Sequence, residues 1–404
     1  MEPRYNYEIM KRIYLDYAAA TPVDPEVSRV MEEFLDSNYG NASGIYKEGR
    51  EAKKALEEAR ERIAKILGAR AREIIFTSGG TEANNLAIFG VSAQKKSGHI
   101  VTAKFEHRSV LEPIYELEKR GFDVTYLKIS RDGFINPEDV KRSLREDTVL
   151  VSIMYVNNEI GTIQPIAEIG KIIKRFREES NSQYPYFHTD ACQAAGYLDL
   201  NVDMLGVGLA SFSGAKVYGP KGVGFLYKTE GINLKPQIFG GGQERGFRSG
   251  TEPLGLAVGF AKALEISRAK RSEEFERLEK MRNYFAKEVV KRAPGAEING
   301  DMEKRIPSNL NVSFPGIESE QLIVALDEKG IAVSSGSACD SKLPELPHVI
   351  MALGKGVEAA RSVIRFSLGV NTTKENIDYV LKILPELINR LSINVYERSK
   401  AIKV

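Results

Sequence analysis

Chemistry in this chain is read first from a lysine set in a small, glycine-bounded turn. The stretch Ser211-Phe212-Ser213-Gly214-Ala215-Lys216-Val217-Tyr218-Gly219 holds Lys216 among hydroxyls and small residues. It follows His188-Thr189-Asp190-Ala191-Cys192-Gln193, with Asp190 26 positions before the lysine. A buried lysine can form a Schiff base with an aldehyde cofactor, and a carboxylate can keep such a cofactor's ring nitrogen protonated. A third stretch, Phe76-Thr77-Ser78-Gly79-Gly80-Thr81-Glu82, reads as a strand, a glycine turn and a helix start. Backbone N–H groups and the helix dipole there favour a dianion, with Gly80 and Thr81 as donors. Lysine, carboxylate and phosphate loop together are what a pyridoxal-phosphate (PLP) enzyme needs. Each has a plainer reading alone: a surface lysine, a strand-end helix cap, an ordinary turn with a capping threonine.

Other residues extend the set. Gln193 follows Asp190 by three positions, on the same side of a helical turn, and could reach a cofactor's phenolic oxygen. His107, one of four histidines, could stack on a ring and carry protons near neutral pH, or simply cap a helix. Asn158, in Val156-Asn157-Asn158-Glu159-Ile160-Gly161, could donate to cofactor or substrate, or belong to a polar loop. Gly240-Gly241-Gly242-Gln243-Glu244-Arg245-Gly246-Phe247-Arg248-Ser249-Gly250-Thr251 reads as a flexible connector, of the kind that often carries function. Cys339, among Ser334-Ser335-Gly336-Ser337-Ala338, suits nucleophilic attack from an accessible loop. Cys192 lies in a segment expected inside, as a small buried hydrophobe. Arg365, on a strand after the cysteine loop, could clamp a carboxylate through two parallel bonds or form a surface ion pair. Scattered histidines and two distant cysteines give no metal-ligand spacing, and no dinucleotide fingerprint occurs in strand–helix context.

These residues need a scaffold, and the chain supplies one. Its 404 residues suit two domains, and 42% hydrophobic with 28% charged residues describes a globular protein. A net charge of +2 gives no reason to expect nucleic acid. Two cysteines make no disulfide framework, so a reducing cytoplasm is expected. No apolar run is long enough for a membrane span. Short apolar strands at 73–77, 99–102, 123–127 and 149–154 alternate with helical stretches at 51–66, 110–120 and 166–179, predicting an α/β domain on a mostly parallel sheet. A long charged helix over 265–292 connects to a strand at 310–314, a helix at 320–329, the Cys339 loop, a strand at 363–367 and a last helix from 374, a compact α+β domain. The expected division is 17–264 for the large domain, and 1–16 with 265–404 for the small one.

Order and spacing say more than any one motif. Ser78-Gly79-Gly80-Thr81-Glu82, Glu106-His107, Asn157-Asn158-Glu159-Ile160-Gly161, Asp190-Ala191-Cys192-Gln193, Ser211-Phe212-Ser213-Gly214-Ala215-Lys216, Arg248-Ser249-Gly250-Thr251 and Ser334-Ser335-Gly336-Ser337-Ala338-Cys339 stand in one line. The chain resembles a cysteine desulfurase of the NifS/IscS type, a class V aminotransferase on the PLP-dependent transferase fold type I. The resemblance runs from Tyr14-Leu15-Asp16-Tyr17 to Arg365-Phe366-Ser367-Leu368-Gly369. It implies a seven-stranded, mostly parallel sheet in the large domain and a Schiff base between Lys216 and PLP. Asp190 would pair with the pyridinium nitrogen, Gln193 would contact the phenolic oxygen, and His107 would stack on the ring. Thr81, Ser213 and the Gly80 backbone would hold the phosphate, with Thr251 reaching the partner subunit's cofactor in a homodimer. Asn158 and Arg365 would bind the substrate carboxylate. Cys339 would take sulfur from L-cysteine as a persulfide, releasing L-alanine. Its long loop resembles the branch that delivers sulfur to iron–sulfur scaffold proteins and tRNA-thiolation carriers. Two positions depart from the family: Ala215 and Tyr46 stand where it usually has histidine. The first removes a phosphate contact worth roughly 1.5–3 kcal/mol, about tenfold or more in affinity.

Overall fold

A computed structural model describes residues 12–34, 36–336 and 346–401. Cys339 therefore lies outside the described residues. The chain divides into two compact units: Ala20–Asn158 with Thr162–Glu273, and Met1–Ala19 with Glu159–Gly161 and Glu274–Val404.

Strand β1 (Ile13–Tyr14) belongs to the second unit. The first unit is built on β2 (Ile74–Thr77), β3 (His99–Ala103), β4 (Asp123–Leu127), β5 (Thr148–Ser152), β6 (Tyr186–Asp190), β7 (Leu209–Ser213) and β8 (Gly224–Lys228). They form one sheet in the order β2-β8-β7-β6-β5-β3-β4. Only β8 runs against its neighbours β2 and β7; the other pairs are parallel. Strands β2, β3, β5, β6 and β8 are buried at every residue, which is why β2 and β5 do not alternate apolar with polar, and why the polar residues of β6 are enclosed.

Helices pack on this sheet through apolar stripes. Lys47–Leu67 buries Ala52, Leu56, Ala59, Ile63, Ala64 and Leu67, at three- and four-residue spacing, and ends at Gly68 in the left-handed region. Gly80–Ser92 buries Ala83, Leu86, Ala87, Ile88 and Val91 against Ile75, Ile100, Leu150, Leu209 and Leu226. The long helix starts at Leu254, not near 265, and runs to Arg292. Its first turns are mostly apolar, burying Ala257, Phe260, Ala261 and Leu264, with Lys262 the one charged residue before Glu265. The division between the units falls inside this helix.

In the second unit, β9 (Glu297–Ile298), β10 (Asn309–Ser313) and β12 (Val363–Ser367) form an antiparallel sheet ordered β12-β10-β9. Strand β1 pairs in parallel with β11 (Ile331–Ala332). Helices Ser319–Glu328 and Lys374–Ala401 follow β10 and β12. Among the described residues, no helix is long and apolar enough to cross a membrane.

Candidate active site

Most candidate cofactor residues fall in the first unit, at strand ends and the turns after them. Asp190 is the last residue of β6, not a residue beyond it, because the ladder to β7 continues through Asp190 and Ser211. It is buried, and its Oδ1 accepts the Cys192 N–H at 3.0 Å. Its Oδ2 accepts from Asn84 Nδ2 at 2.8 Å. Two residues back on the same face, His188 is fully enclosed between Ser152 Oγ (2.8 Å) and Ser211 Oγ (3.0 Å). Burial pushes its imidazole down to about 4, so a neutral ring lies beside the carboxylate. Glu106 is also buried, and burial pushes its carboxyl well above the usual range, with the Asp190 charge adding to the rise. Its Oε1 accepts the Met154 N–H at 2.9 Å.

Lys216 ends a short 3₁₀ turn, Gly214–Lys216, directly after β7. The turn is tied down from outside: Ala215 O accepts from Thr21 N (2.9 Å) and Thr21 Oγ1 (3.2 Å). Lys216 lies near enough to Cys192 for its charge to favour the thiolate, but burial and Asp190 dominate and push that thiol well up. Cys192 is buried and free, the inert small side chain its segment suggested.

The helix Gly80–Ser92 begins beside this turn. A Cβ on Gly80 would sit 2.6 Å from Cys192 Sγ and 3.5 Å from Ser213 Cβ, so the helix start packs directly on the Asp190 and Lys216 turns. Gly80→Ala should therefore push the helix start away and weaken binding of a phosphate there. Equilibrium dialysis against PLP should show a higher Kd for Gly80→Ala, restored in large part by adding Cys192→Ala. Equal affinity in all three chains would contradict this packing. Thr81 is exposed in the first helical turn. Glu82, next to it, accepts the Ser78 N–H at 2.8 Å and Arg248 Nε at 2.9 Å. Burial works to raise its carboxyl, but Arg248 and Ser78 hold it below its usual range.

His107 precedes the helix Arg108–Lys119, and its Nδ1 caps that helix by accepting the Ser109 N–H at 3.1 Å. Ser109 Oγ lies 2.7 Å from the same nitrogen and accepts from Asn84 Nδ2 at 2.8 Å. His107 and Asp190 are thus joined through Asn84 and Ser109. Neither linking residue stood out in the sequence. The usable signal was Asn84 itself, a polar side chain within the apolar run Ala83-Asn84-Asn85-Leu86-Ala87-Ile88. Asn158 and Gln193 are half-buried.

The glycine-rich loop carrying Thr251 is pinned rather than free. Glu244 is 4% exposed. It takes a bidentate pair from Arg60 (2.7 and 2.9 Å) and also accepts the Phe76 N–H at 2.9 Å. Arg248 makes the second tie, to Glu82. Thr251 itself is exposed.

In the second unit, Arg365 lies on β12 and is buried, with Nη2 2.8 Å from Asp16 Oδ1. The pair is internal, not the surface pair that a strand arginine also allowed. Its backbone bridges to Ser334, five residues before Cys339 in the sequence, and Ser334 Oγ accepts the Gly336 N–H at 3.2 Å. Gly336 is in the left-handed region (φ +100°), where a Cβ would stand 2.7 Å from Glu159 Oε2. Glu159 is buried, and its carbonyl accepts from Asn309 (3.0 Å) and Asn311 (3.1 Å). The residues after Asn158 are thus built-in structure, not a loose polar loop.

The chain matches the family described as Aminotransferase class-V over residues 13–380. The chain belongs to that family, among its cysteine desulfurases of the NifS/IscS type. It is 49% identical over 393 residues to a cysteine desulfurase IscS of Dictyoglomus turgidum, covering 96% of this chain and 98% of the relative. A cysteine desulfurase IscS of Clostridium botulinum is 46% identical over 94% of this chain and 95% of its own. A solved NifS-like protein superposes with a TM-score of 0.87 at 38% identity, covering 94% of this chain and 100% of that one. A structure described as SspA in complex with cysteine gives 0.77 at 36% identity, covering 88% and 98%. The fold is that of the PLP-dependent transferases of fold type I.

The residues present suit PLP. A helix start packed without side chain at Gly80 suits a dianionic phosphate, a buried carboxylate at Asp190 suits a pyridinium, and Lys216 leaves the adjacent strand. Among the described residues, no group of histidine, cysteine and acidic side chains could hold a metal ion.

Proposed function

We propose that this protein is a PLP-dependent cysteine desulfurase that converts L-cysteine to L-alanine and carries the sulfur as a persulfide on Cys339. The observation that carries this reading is the joining of Asp190, Gly80, Ser213 and Lys216 in one cluster, on a chain nearly half identical to cysteine desulfurases over its length.

Lys216 would hold PLP covalently, and its amine would afterwards move the substrate's protons. Asp190 would fix the ring nitrogen, Gln193 and Asn158 would hydrogen-bond the ring's substituents, and His107 would lie on its face. Gly80, Thr81 and Ser213 would hold the phosphate. Bound PLP supplies an electron sink for charge developing at the substrate carbon. Arg365, with Asn158, would bind the substrate carboxylate. Asp16 keeps that guanidinium oriented until a second carboxylate arrives. Cys339 would attack the substrate sulfur and then pass it on, and a thiol on a long loop can make both approaches. The acceptors that fit are an iron–sulfur scaffold protein or a tRNA-thiolation carrier.

The domain division proposed is 17–264 for the cofactor, and 1–16 with 265–404 for the thiol loop. A homodimer fits the large apolar side chains left on the first unit: Ile45 is 90% exposed and Phe239 82%. Phe239 precedes the loop that carries Thr251, which would reach the partner subunit's phosphate. A cytoplasmic setting suits a working thiol.

The test is release of sulfide and alanine from L-cysteine by the PLP-supplemented protein with a reductant. Equal amounts of both are expected and would show that Ala215 is tolerated. Neither product despite a bound, coloured cofactor would overturn the assignment.

A further inference from the structure

Four polar side chains from different elements form one directed chain: Asp190 Oδ2, Asn84 Nδ2, Ser109 Oγ and His107 Nδ1, with links of 2.8, 2.8 and 2.7 Å. The direction of its protons follows from the first link and from the Ser109 backbone N–H that His107 Nδ1 accepts. A carboxylate oxygen accepts, so the Asn84 atom beside Asp190 must be the amide nitrogen. That nitrogen has two protons, and both are engaged, one on Asp190 and one on Ser109 Oγ. The amide is not free to turn over, because Oδ1 would then face the carboxylate. Oδ1 is instead buried with no hydrogen-bond partner among the described residues. Ser109 Oγ, already accepting from Asn84, turns its single proton to His107 Nδ1. The Ser109 backbone N–H points at the same lone pair. The imidazole proton is therefore on Nε2. Asn84 is 1% exposed and Ser109 8%, so water does not compete for these bonds.

We propose that Asn84 and Ser109 are positioning residues that carry the orientation of the Asp190 carboxylate to His107 and hold its imidazole in the Nε2–H form. Any proton His107 exchanges with substrate then leaves from, or arrives at, Nε2. The proposal deepens the desulfurase reading, in which Asp190 grips the cofactor ring nitrogen and His107 lies on the ring. The chain makes these two contacts one unit instead of two independent ones.

The test is nitrogen NMR of the full-length, ¹⁵N-histidine-labelled protein, recorded with PLP and after its removal, with His107→Gln assigning the signals. In the parent, Nδ1 should resonate as a lone-pair nitrogen and Nε2 as a protonated one. Asn84→Leu removes the proton given to Ser109 Oγ and should move the Nδ1 signal slightly, by weakening the hydroxyl that donates to it. Ser109→Ala should move it further in the same direction, because the hydroxyl proton is gone and only the backbone N–H remains, and Ser109→Thr should restore the parent position. A merely structural role would leave the signal in place in any variant that folds. If Asn84→Leu does not fold, the Ser109→Ala and Ser109→Thr pair decides alone. Identical Nδ1 signals in the parent and Ser109→Ala would overturn the proposal. Failure of the PLP reading would show separately, as a parent that gains no visible band with PLP, and the ring signals would remain measurable.

Discussion

Lys216→Ala should stop alanine formation from L-cysteine, with a loss of at least about a thousandfold, while the chain stays folded. Two roles disappear together, the bond that holds PLP and the amine that moves protons, and neither Ala215 nor Val217 can replace either. The turn itself should survive, because it is secured by backbone contacts: Thr21 on the Ala215 carbonyl, and Gly214 O accepting the N–H of Val217. The direct check is borohydride reduction of the PLP-loaded protein followed by peptide mass spectrometry. The parent should carry the reduced cofactor on the peptide with Lys216, and the variant should carry none. Trapping on another lysine, or turnover retained in the variant, would contradict the assignment.

The second large effect is on stability rather than on the chemical step. Glu244→Ala should lower stability by about 3–5 kcal/mol, roughly 10 °C in Tm. Arg60 and Glu244 are each 2% exposed at the side chain, so removing the carboxylate strips a buried guanidinium of its bidentate partner and leaves it only the half-exposed Glu57, 3.2 Å from its Nε. Backbone strain adds to the effect. Glu244 and Arg245 both hold positive φ, +47° and +57°, at about 1–2 kcal/mol each for residues with a Cβ. The pair is what over-determines that conformation. Replacing both partners, Arg60→Met with Glu244→Leu, should cost less than Glu244→Ala alone, since no buried charge is stranded. It should not restore full stability, because the Phe76 N–H loses its acceptor. Thermal unfolding of the three chains checks this. A double variant as unstable as the single one would show that the charge is not the cause.

What the sequence made legible follows from which forces are local. The central sheet is legible because β2 and β5 are apolar runs closed by Thr or Ser, as strands covered on both faces tend to be. The start of the long helix is not legible in the sequence, because its dense charge begins only after the buried, mostly apolar turns from Leu254. The residues that could carry chemistry stood out through motif order, and Cys192 through its interior setting. Their supports did not, because supports depend on partners distant in the chain. Asn84 meets Asp190, Glu244 meets Arg60, and Arg365 meets Asp16, and no local pattern announces such pairs. The loop before Thr251 looked flexible for the same reason: its glycines are local, whereas the Arg60 and Glu82 that tie it down are not.

The central claim is that sulfur leaves L-cysteine for Cys339. The most direct measurement is a single turnover of the PLP-loaded protein with L-cysteine and no reductant, followed by mass spectrometry of the protein and assay of alanine. The account predicts one alanine per active site and one added sulfur atom on the peptide containing Cys339, with Cys339→Ala giving neither. Alanine formed at the parent rate by Cys339→Ala, or sulfur found on Cys192 instead, would contradict it.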